Sequence, residues 1–100
     1  MIVVNHTLPS SQAEKMGLKE GDVFVEYDGK FFSDSAKFIN YRKTEERENS
    51  RELIVLRGEE WFSFNVFPGQ MGADLGLQVT PLEEIEKIKT DVQKFQESKK

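Results

Sequence analysis

Residues 10–30 of the chain read SSQAEKMGLKEGDVFVEYDGK, and the first half of this stretch predicts a very short helix. The two serines can cap a helix, because a serine hydroxyl accepts a hydrogen bond from the unpaired N–H groups of the first turn. Good helix formers follow, and Gly17 suits the left-handed conformation in which many helices end. We therefore expect a helix of barely two turns.

The second half of the stretch predicts two strands joined by a tight turn. Val23 and Val25 alternate with Phe24 and Glu26, which places the two valines on one face of a strand. The Asp-Gly pair that follows favours a hairpin turn. The Lys-Phe-Phe run after it is then the second strand.

The same periodicities divide the rest of the chain. The N-terminal MIVV is a β-branched run that predicts a strand. Residues 51–67 alternate about a turn at Gly58 and predict a second strand pair, and the glycine-rich segment 68–79 ends in a candidate strand, LGLQV. Two longer helices are expected, at residues 35–46 and from residue 81 onward.

Composition favours one globular domain. The 100 residues are 37% hydrophobic and 32% charged, which is enough apolar material for one core beneath a solvated surface. The absence of cysteine excludes disulfides and thiolate metal sites, and the net charge of −4 argues against a nucleic-acid partner. No apolar run approaches the ~18 residues of a membrane span. The compartment is left open, and is cytoplasmic if Met1 is the native start.

The spacing within residues 10–30 resembles that of PDZ domains of the bacterial or protease-associated type. Those domains carry the pattern Ser-x-Ala-x-x-Ala-Gly-Leu-x-x-Gly-Asp, then a strand, then Asn-Gly and a basic residue. The residues that match are Ser11, Ala13, Gly17, Leu18, Gly21, Asp22, Gly29 and Lys30. Gln12 stands where proline is frequent in these domains, Met16 where alanine is usual and Asp28 where asparagine is usual. None of these departures is expected to disturb the fold.

The resemblance implies a mainly β, α+β fold. We expect a small antiparallel sheet or partly open barrel capped by two helices over residues 1–80, and a C-terminal amphipathic helix with a frayed end over residues 81–100. PDZ domains carry a loop of the form Gly-Leu-Gly-Phe near their start. Here the similar segment is DLGL, from Asp74 to Leu77, near the other end. The chain therefore looks like a circularly permuted PDZ domain, in which the loop and the groove strand follow the last hairpin.

The resemblance also implies a peptide-binding groove. PDZ domains bind an extended peptide, usually a C-terminus, as an added strand beside the long helix. The peptide is expected between the strand at 75–80 and the helix at 35–46, with its carboxylate received by successive N–H groups of the DLGL loop. The site residues that this implies are Asp74, Leu75, Gly76, Leu77, Gln78, Val79, Ser35, Ile39 and Arg42.

One feature of the loop counts against a strong carboxylate site. Asp74 places a like charge near an incoming carboxylate, and the segment 68–79 contains no Lys or Arg. The groove is therefore expected to prefer an internal peptide segment, or to be vestigial.

No catalytic site, metal site or cofactor is expected. His6 is the only histidine and lies among polar loop residues, and the chain has no Gly-x-Ser-x-Gly nucleophile motif and no cluster of metal ligands. We therefore expect no enzyme activity. The expected partner is a peptide or a protein C-terminus.

The terminal helix leaves several alternatives open. An apolar stripe within residues 82–95 must be buried, either on its own domain, on another chain, or near the groove. Two other functions also stay open. In the first, the chain is a regulatory or substrate-recognition domain of a larger protease. In the second, it is a structural or oligomerising domain whose groove does not function.

Overall fold

A computed structural model describes residues 1–44 and 49–99 of the chain. Within these residues the elements are, in order, β1 Ile2–Thr7, α1 Gln12–Met16, β2 Val23–Tyr27, β3 Lys30–Phe31, α2 Ser35–Thr44, β4 Arg51–Arg57, β5 Glu60–Val66, β6 Ala73–Leu77 and α3 Leu82–Ser98. Gly17 ends α1 in the left-handed conformation, as predicted. Residues 45 and 46 of the second predicted helix lie outside the described residues.

The strands form one antiparallel sheet in the order β5-β4-β2-β1-β6, with β3 paired to β2 away from this path. The first and last strands of the chain, β1 and β6, are therefore neighbours. Among the described residues the sheet is open at β5 and at β6, so it is not closed into a barrel. A mainly antiparallel sheet with three helices confirms the predicted α+β fold class.

Apolar side chains fill both faces of the sheet. The first face packs against α1 and α2 and forms the main core, whose buried residues are Ile2, Val4, Ala13, Leu18, Phe24, Tyr27, Phe38, Leu53, Val55, Val66 and Met71. The opposite face packs against α3 and forms a second core, whose buried residues are Met1, Val25, Ile54, Ile88 and Val92. The sheet is thus covered by helices on both faces.

A β-bulge in β2 explains how Tyr27 reaches the main core. Phe24 pairs with Val55, whereas Glu26 pairs with Ile54, so β2 contains one extra residue between these two pairs. A bulge shifts the alternation of side chains by one residue. Strict alternation would have placed Tyr27 on the face of the two valines, but it packs with Phe24 instead.

An ion pair between a buried aspartate and a partly exposed arginine ties the turn before β2 to the end of β4. Asp22 is fully buried, and the Arg57 Nε and Nη2 atoms donate to its carboxylate at 2.7 and 2.8 Å. The backbone N–H of Lys19 donates to the same carboxylate at 2.9 Å, and Arg57 also donates to the carbonyl of Gly17 at 3.0 Å. The hydrogen bond to Asp22 is the main reason why the pKa of Arg57 is raised.

Replacement of Asp22 should destabilise the fold strongly. Asp22→Ala removes the acceptor of the Arg57 and Lys19 hydrogen bonds. Because Arg57 keeps 29% of its side chain in solvent, we expect a loss of about 2 kcal/mol of unfolding free energy, less than for a pair buried on both sides. Urea denaturation at neutral pH measures this loss. The control Glu20→Ala changes an exposed residue of the same turn and should cost less than about 0.5 kcal/mol. Equal losses in the two variants would contradict the role assigned to Asp22.

The helix α3 is covered by the chain's own sheet. Ile88 and Val92 are buried in the second core, with Ile85 and Phe95 packed beside them. The ring of Phe95 stacks on Trp61 of β5 with 6.0 Å between centroids. The predicted apolar stripe therefore packs intramolecularly, on the face of the sheet opposite α2. None of the helices in the described part of the chain has the length and apolarity needed to cross a membrane.

Glu52 of β4 connects the end of α3 to the sheet. Its carboxylate accepts hydrogen bonds from Lys99 Nζ, from the side-chain amide of Gln96 at 3.2 Å and from the Ser63 hydroxyl at 2.6 Å. Burial raises the pKa of Glu52, but these hydrogen bonds outweigh burial and hold the pKa below its ordinary value of 4.5. The carboxylate form therefore stabilises the folded state.

This lowered pKa predicts a specific pH dependence. The stabilisation is complete above pH 4.5 and is lost as the pH falls through the folded-state pKa, because the unfolded chain then binds the proton more readily. Glu52→Gln removes the titrating group, so the difference in unfolding free energy between wild type and variant should shrink between about pH 6 and pH 3. Glu59→Gln, in the exposed β4-β5 turn, is the matched control and should follow the wild-type profile. A difference for Glu52→Gln that stays constant with pH would rule out this linkage.

Candidate functional site

One edge of β6 is not paired with a strand among the described residues. Gln78 exchanges both of its backbone hydrogen bonds with Met1, at 2.8 and 2.9 Å, and the Gly72 carbonyl accepts from the Leu8 N–H at 2.8 Å. Backbone groups alternate between the two sides of a strand, so the even-numbered residues face β1. The residues whose N–H and C=O groups face the free edge are Ala73, Leu75 and Leu77.

The helix α2 stands opposite this free edge and is anchored by one aromatic ring. Phe38 is buried, and its ring makes edge contacts with Phe24 at 5.4 Å, with Tyr27 at 5.2 Å and with Phe32 at 5.8 Å between centroids. Such aromatic contacts stabilise by about 1 kcal/mol each beyond their buried area. The next residue, Ile39, is 42% exposed. The anchor thus fixes a helix face that still presents an apolar side chain to solvent.

A groove of about 850 Å³ lies between β6 and α2. This size is within the range typical of ligand sites in proteins. The apolar side chains that line it include Leu75, Ile39, Phe38 and Met71. The polar and charged residues around them include His6 and Asp74 from the sheet and Arg42 and Lys43 from the helix.

The loop at residues 67–72, between β5 and β6, closes one end of the groove. The side-chain amide of Gln12 accepts from the Phe67 N–H at 2.6 Å and donates to the Phe67 carbonyl at 3.3 Å. From the other side, Arg42 donates to the carbonyls of Phe67 and Gly69 at 3.2 and 2.9 Å. Both α1 and α2 therefore hold the loop in place.

Gly72 brings the end of this loop against α1. Its φ is 81°, and a Cβ at this position would lie 2.2 Å from the Cβ of Ser11. Beside it, the Ala13 N–H donates to the Met71 carbonyl at 2.8 Å. Only glycine permits this close approach, and the approach sets where β6 begins.

Comparison with solved structures identifies this architecture. The crystal structure of the PDZ domain of the SdrC-like protein from Listeria monocytogenes matches with a TM-score of 0.64 at 20% sequence identity, over 74% of this chain and 85% of that one. The chain has the fold of a PDZ domain. The prediction made from residues 10–30 is confirmed, and β6 follows the last hairpin as the permuted order requires.

Comparison with sequences adds two proteins that are serine proteases by name. "Putative serine protease HhoA" of Synechocystis is 33% identical over 70 residues, which are 70% of this chain and 18% of that protein. "Serine protease HTRA1" of Xenopus laevis is 31% identical over 64 residues, which are 64% of this chain and 13% of that protein. The chain therefore spans less than a fifth of either relative. No family model matches the chain.

The DLGL segment lies in a strand rather than in a loop. The DLGL segment was predicted to form the loop, but Asp74, Leu75, Gly76 and Leu77 all pair with β1 as part of β6. In a strand the N–H of Gly76 points to β1, while its two neighbours point to the free edge. Three successive N–H groups therefore cannot converge there. The loop that precedes the groove strand is residues 67–72.

The structure brings four of the nine predicted site residues together. The residues that line the groove are Asp74, Leu75, Ile39 and Arg42. The residues that lie outside its lining are Ser35, Gly76, Leu77, Gln78 and Val79. Of these, Leu77 is 62% exposed and Val79 is 99% exposed.

Several groove residues were missed from the sequence. His6 lies 3.5 Å from Asp74 through its Nδ1 atom, because β1 and β6 place these two residues opposite each other. Pairing between the two ends of the chain leaves no local signal for this contact. Lys43 and Met71, in contrast, lie within the predicted helix 35–46 and the glycine-rich segment 68–79, so the sequence offered a signal for them. In residues 1–44 and 49–99, no three His, Asp or Glu side chains are grouped as metal ligands would be.

Substitution of Gly72 should lower the unfolding free energy more than substitution of another glycine in the same loop. In Gly72→Ala the new Cβ clashes with Ser11, and the alanine must also keep a positive φ that side chains disfavour. We therefore expect a loss of about 2 kcal/mol or more in unfolding free energy. Gly69→Ala is the matched control, because its φ is also positive, at 104°, but no atom lies within 4 Å of the new Cβ.

The clash itself can be tested separately. Ser11→Gly in the Gly72→Ala background removes the contacting Cβ and should recover part of the stability, since a glycine cap costs only a few tenths of a kcal/mol. Urea denaturation of the three variants gives the comparison. Equal losses in Gly72→Ala and Gly69→Ala would show that the approach to Ser11 does not matter.

Proposed function

We propose that the chain is a non-catalytic peptide-binding module. An extended peptide adds as a strand to the free edge of β6 and lies between β6 and α2. The observation that carries this proposal is the free edge itself, which faces an apolar groove rather than open solvent.

The two components of the groove have different roles in binding. The backbone groups of Ala73, Leu75 and Leu77 are placed to form a hydrogen-bonded ladder with any extended peptide, independently of its sequence. The apolar side chains of Leu75 and Ile39 receive every second side chain of the peptide. Affinity is therefore generic, and selectivity depends on the lining of the groove.

The orientation of the peptide follows from the sheet. A strand that is antiparallel to β6 points its C-terminal end toward the loop at residues 67–72. The segment 68–79 holds no cation, but α2 contributes Arg42 and Lys43 to the groove lining. The positive charges of these two side chains partly offset the repulsion between Asp74 and a peptide carboxylate at that end. We propose a free C-terminus or an extended internal segment as the ligand.

Amide NMR spectra test peptide binding directly. Peptides with alternating apolar residues, with either a free or an amidated C-terminus, are titrated to millimolar concentration. The amides of Ala73, Leu75 and Leu77 should shift. The absence of any shift along β6 with either peptide set would exclude strand addition.

A variant at Ile39 tests whether the groove itself binds the peptide. Ile39→Asp introduces a charge into the apolar wall, and the lost burial of an isoleucine weakens binding about tenfold. Because Ile39 is already 42% exposed in the free protein, the fold should be retained. Leu82→Asp alters another exposed apolar residue, at the start of α3 on the opposite face, and should leave binding unchanged. Equal affinities for both variants would contradict the proposed groove.

A narrower proposal comes from the relatives. Both similar proteins are serine proteases by name, so the groove would select substrates or regulate activity within a larger protease. The mass of the natural gene product, measured by immunoblot and mass spectrometry, decides between a separate binding module and a domain of a larger protease. A product that contains a protease segment supports this proposal, and a product of the present length overturns it.

A further inference from the structure

Asp74 lies on the outer face of the groove strand, beside the free edge. It alternates with Leu75, whose side chain packs against the main core, so the carboxylate of Asp74 points away from that core. Its side chain is 54% exposed. It contacts Asn5 Nδ2 at 3.3 Å and His6 Nδ1 at 3.5 Å. The groove strand thus carries one acidic side chain at its binding edge.

The side-chain amide of Asn5 contacts this carboxylate and orients it. A Cβ on Gly76 would lie 2.9 Å from the Asn5 Nδ2 atom and 3.3 Å from its Cγ, so the Asn5 amide lies directly over Gly76. From this position the amide reaches Asp74 and donates to it. The missing side chain at Gly76 therefore makes room for the residue that orients Asp74.

The register of β6 fixes how a bound peptide would meet Asp74. The backbone groups of Asp74 face β1, as do those of Gly72 and Gln78, whose hydrogen bonds are formed on that side. A peptide residue opposite Asp74 would therefore belong to a non-hydrogen-bonded pair. In such pairs the side chains approach more closely than in hydrogen-bonded pairs. The peptide residue and Asp74 would be in direct contact on the outer face.

We propose that Asp74 selects peptides with Lys or Arg at the position that pairs with it. The residues on either side of this cation are apolar, because they point into the groove beside Leu75 and Ile39. This inference rests on the proposed strand addition and specifies its ligand. The net charge of −4 favours the approach of a cationic peptide.

The cations of α2 do not oppose this selection. The guanidinium of Arg42 donates to the carbonyls of Phe67 and Gly69, at the loop end of the groove. Lys43 belongs to the α2 wall, across the groove from β6. The cationic side chain of the peptide would lie on the outer face of β6, and the peptide backbone separates it from that wall.

Peptides that differ at one residue test the proposal. The probes are acetylated heptapeptides that end in Val-X-Leu with a free carboxylate, where X is Lys, Gln or Glu, measured by fluorescence anisotropy at pH 8 and low salt. The Lys peptide should bind about threefold more tightly than the Gln peptide and about tenfold more tightly than the Glu peptide, as expected for close cross-strand charge pairs. The preference should fall in 0.5 M salt.

Substitutions assign the preference to Asp74. Asp74→Asn should remove the discrimination between the Lys and Gln peptides, and Asp74→Lys should reverse it in favour of Glu. Glu84→Gln, on the exposed start of α3, removes one negative charge, as Asp74→Asn does, and should leave the preference intact. Equal binding of all three peptides by the wild type would overturn the selection while leaving peptide binding in place. No binding of any peptide would overturn both.

Discussion

The pairing of the last strand with the first is the contact on which the groove depends. β6 would be an isolated five-residue segment without β1, and a short strand is stable only as part of a larger sheet. The ladder begins at the Met1–Gln78 pair and ends near Gly72, where the chain turns out of the loop. Because this pairing uses one edge of β6, it also determines which backbone groups remain for a ligand.

The surroundings of this strand are rigid for identifiable reasons. The loop before it is held by Gln12 and Arg42, and Gly72 lies against Ser11. On the other wall, a single buried ring, Phe38, contacts three aromatic neighbours. A groove that is ordered before binding loses less conformational entropy when a peptide enters. The contacts that stabilise the free domain would thus also favour the proposed binding of a peptide.

The parts of the fold that could be predicted from the sequence are those with local causes. The turn signals between Ser11 and Gly29 and the apolar stripe of α3 depend on residues close together in the chain, and the structure agrees with both. A strand was predicted from Leu75 onward, but its start at Ala73 could not be predicted, because residues 73 and 74 join it through pairing with β1. Tyr27 changes face through a bulge, which alternation alone does not reveal.

The residues of the candidate site also divide into those that local sequence could predict and those that depend on distant contacts. Ile39 and Arg42 could be placed on one helix face, since they are separated by nearly one turn. The contact of His6 with Asp74 joins residues from opposite ends of the chain, and the role of Gln12 depends on the position of Phe67. In the PDZ pattern a proline is frequent where Gln12 stands, so here the residue that departs from the family pattern acquires a structural role of its own.

The free edge of β6 also raises the question of what prevents two copies of the chain from pairing there. Exposed sheet edges tend to associate, and natural proteins reduce this tendency with short edge strands, covering elements and charges. All three are present, because β6 is short, α2 stands beside it, and Asp74 carries a charge at its edge. Antiparallel pairing of two β6 strands about Asp74 would place the two carboxylates directly opposite each other, which is unfavourable. The charge that disfavours a second copy is therefore the same charge that a cationic peptide would neutralise.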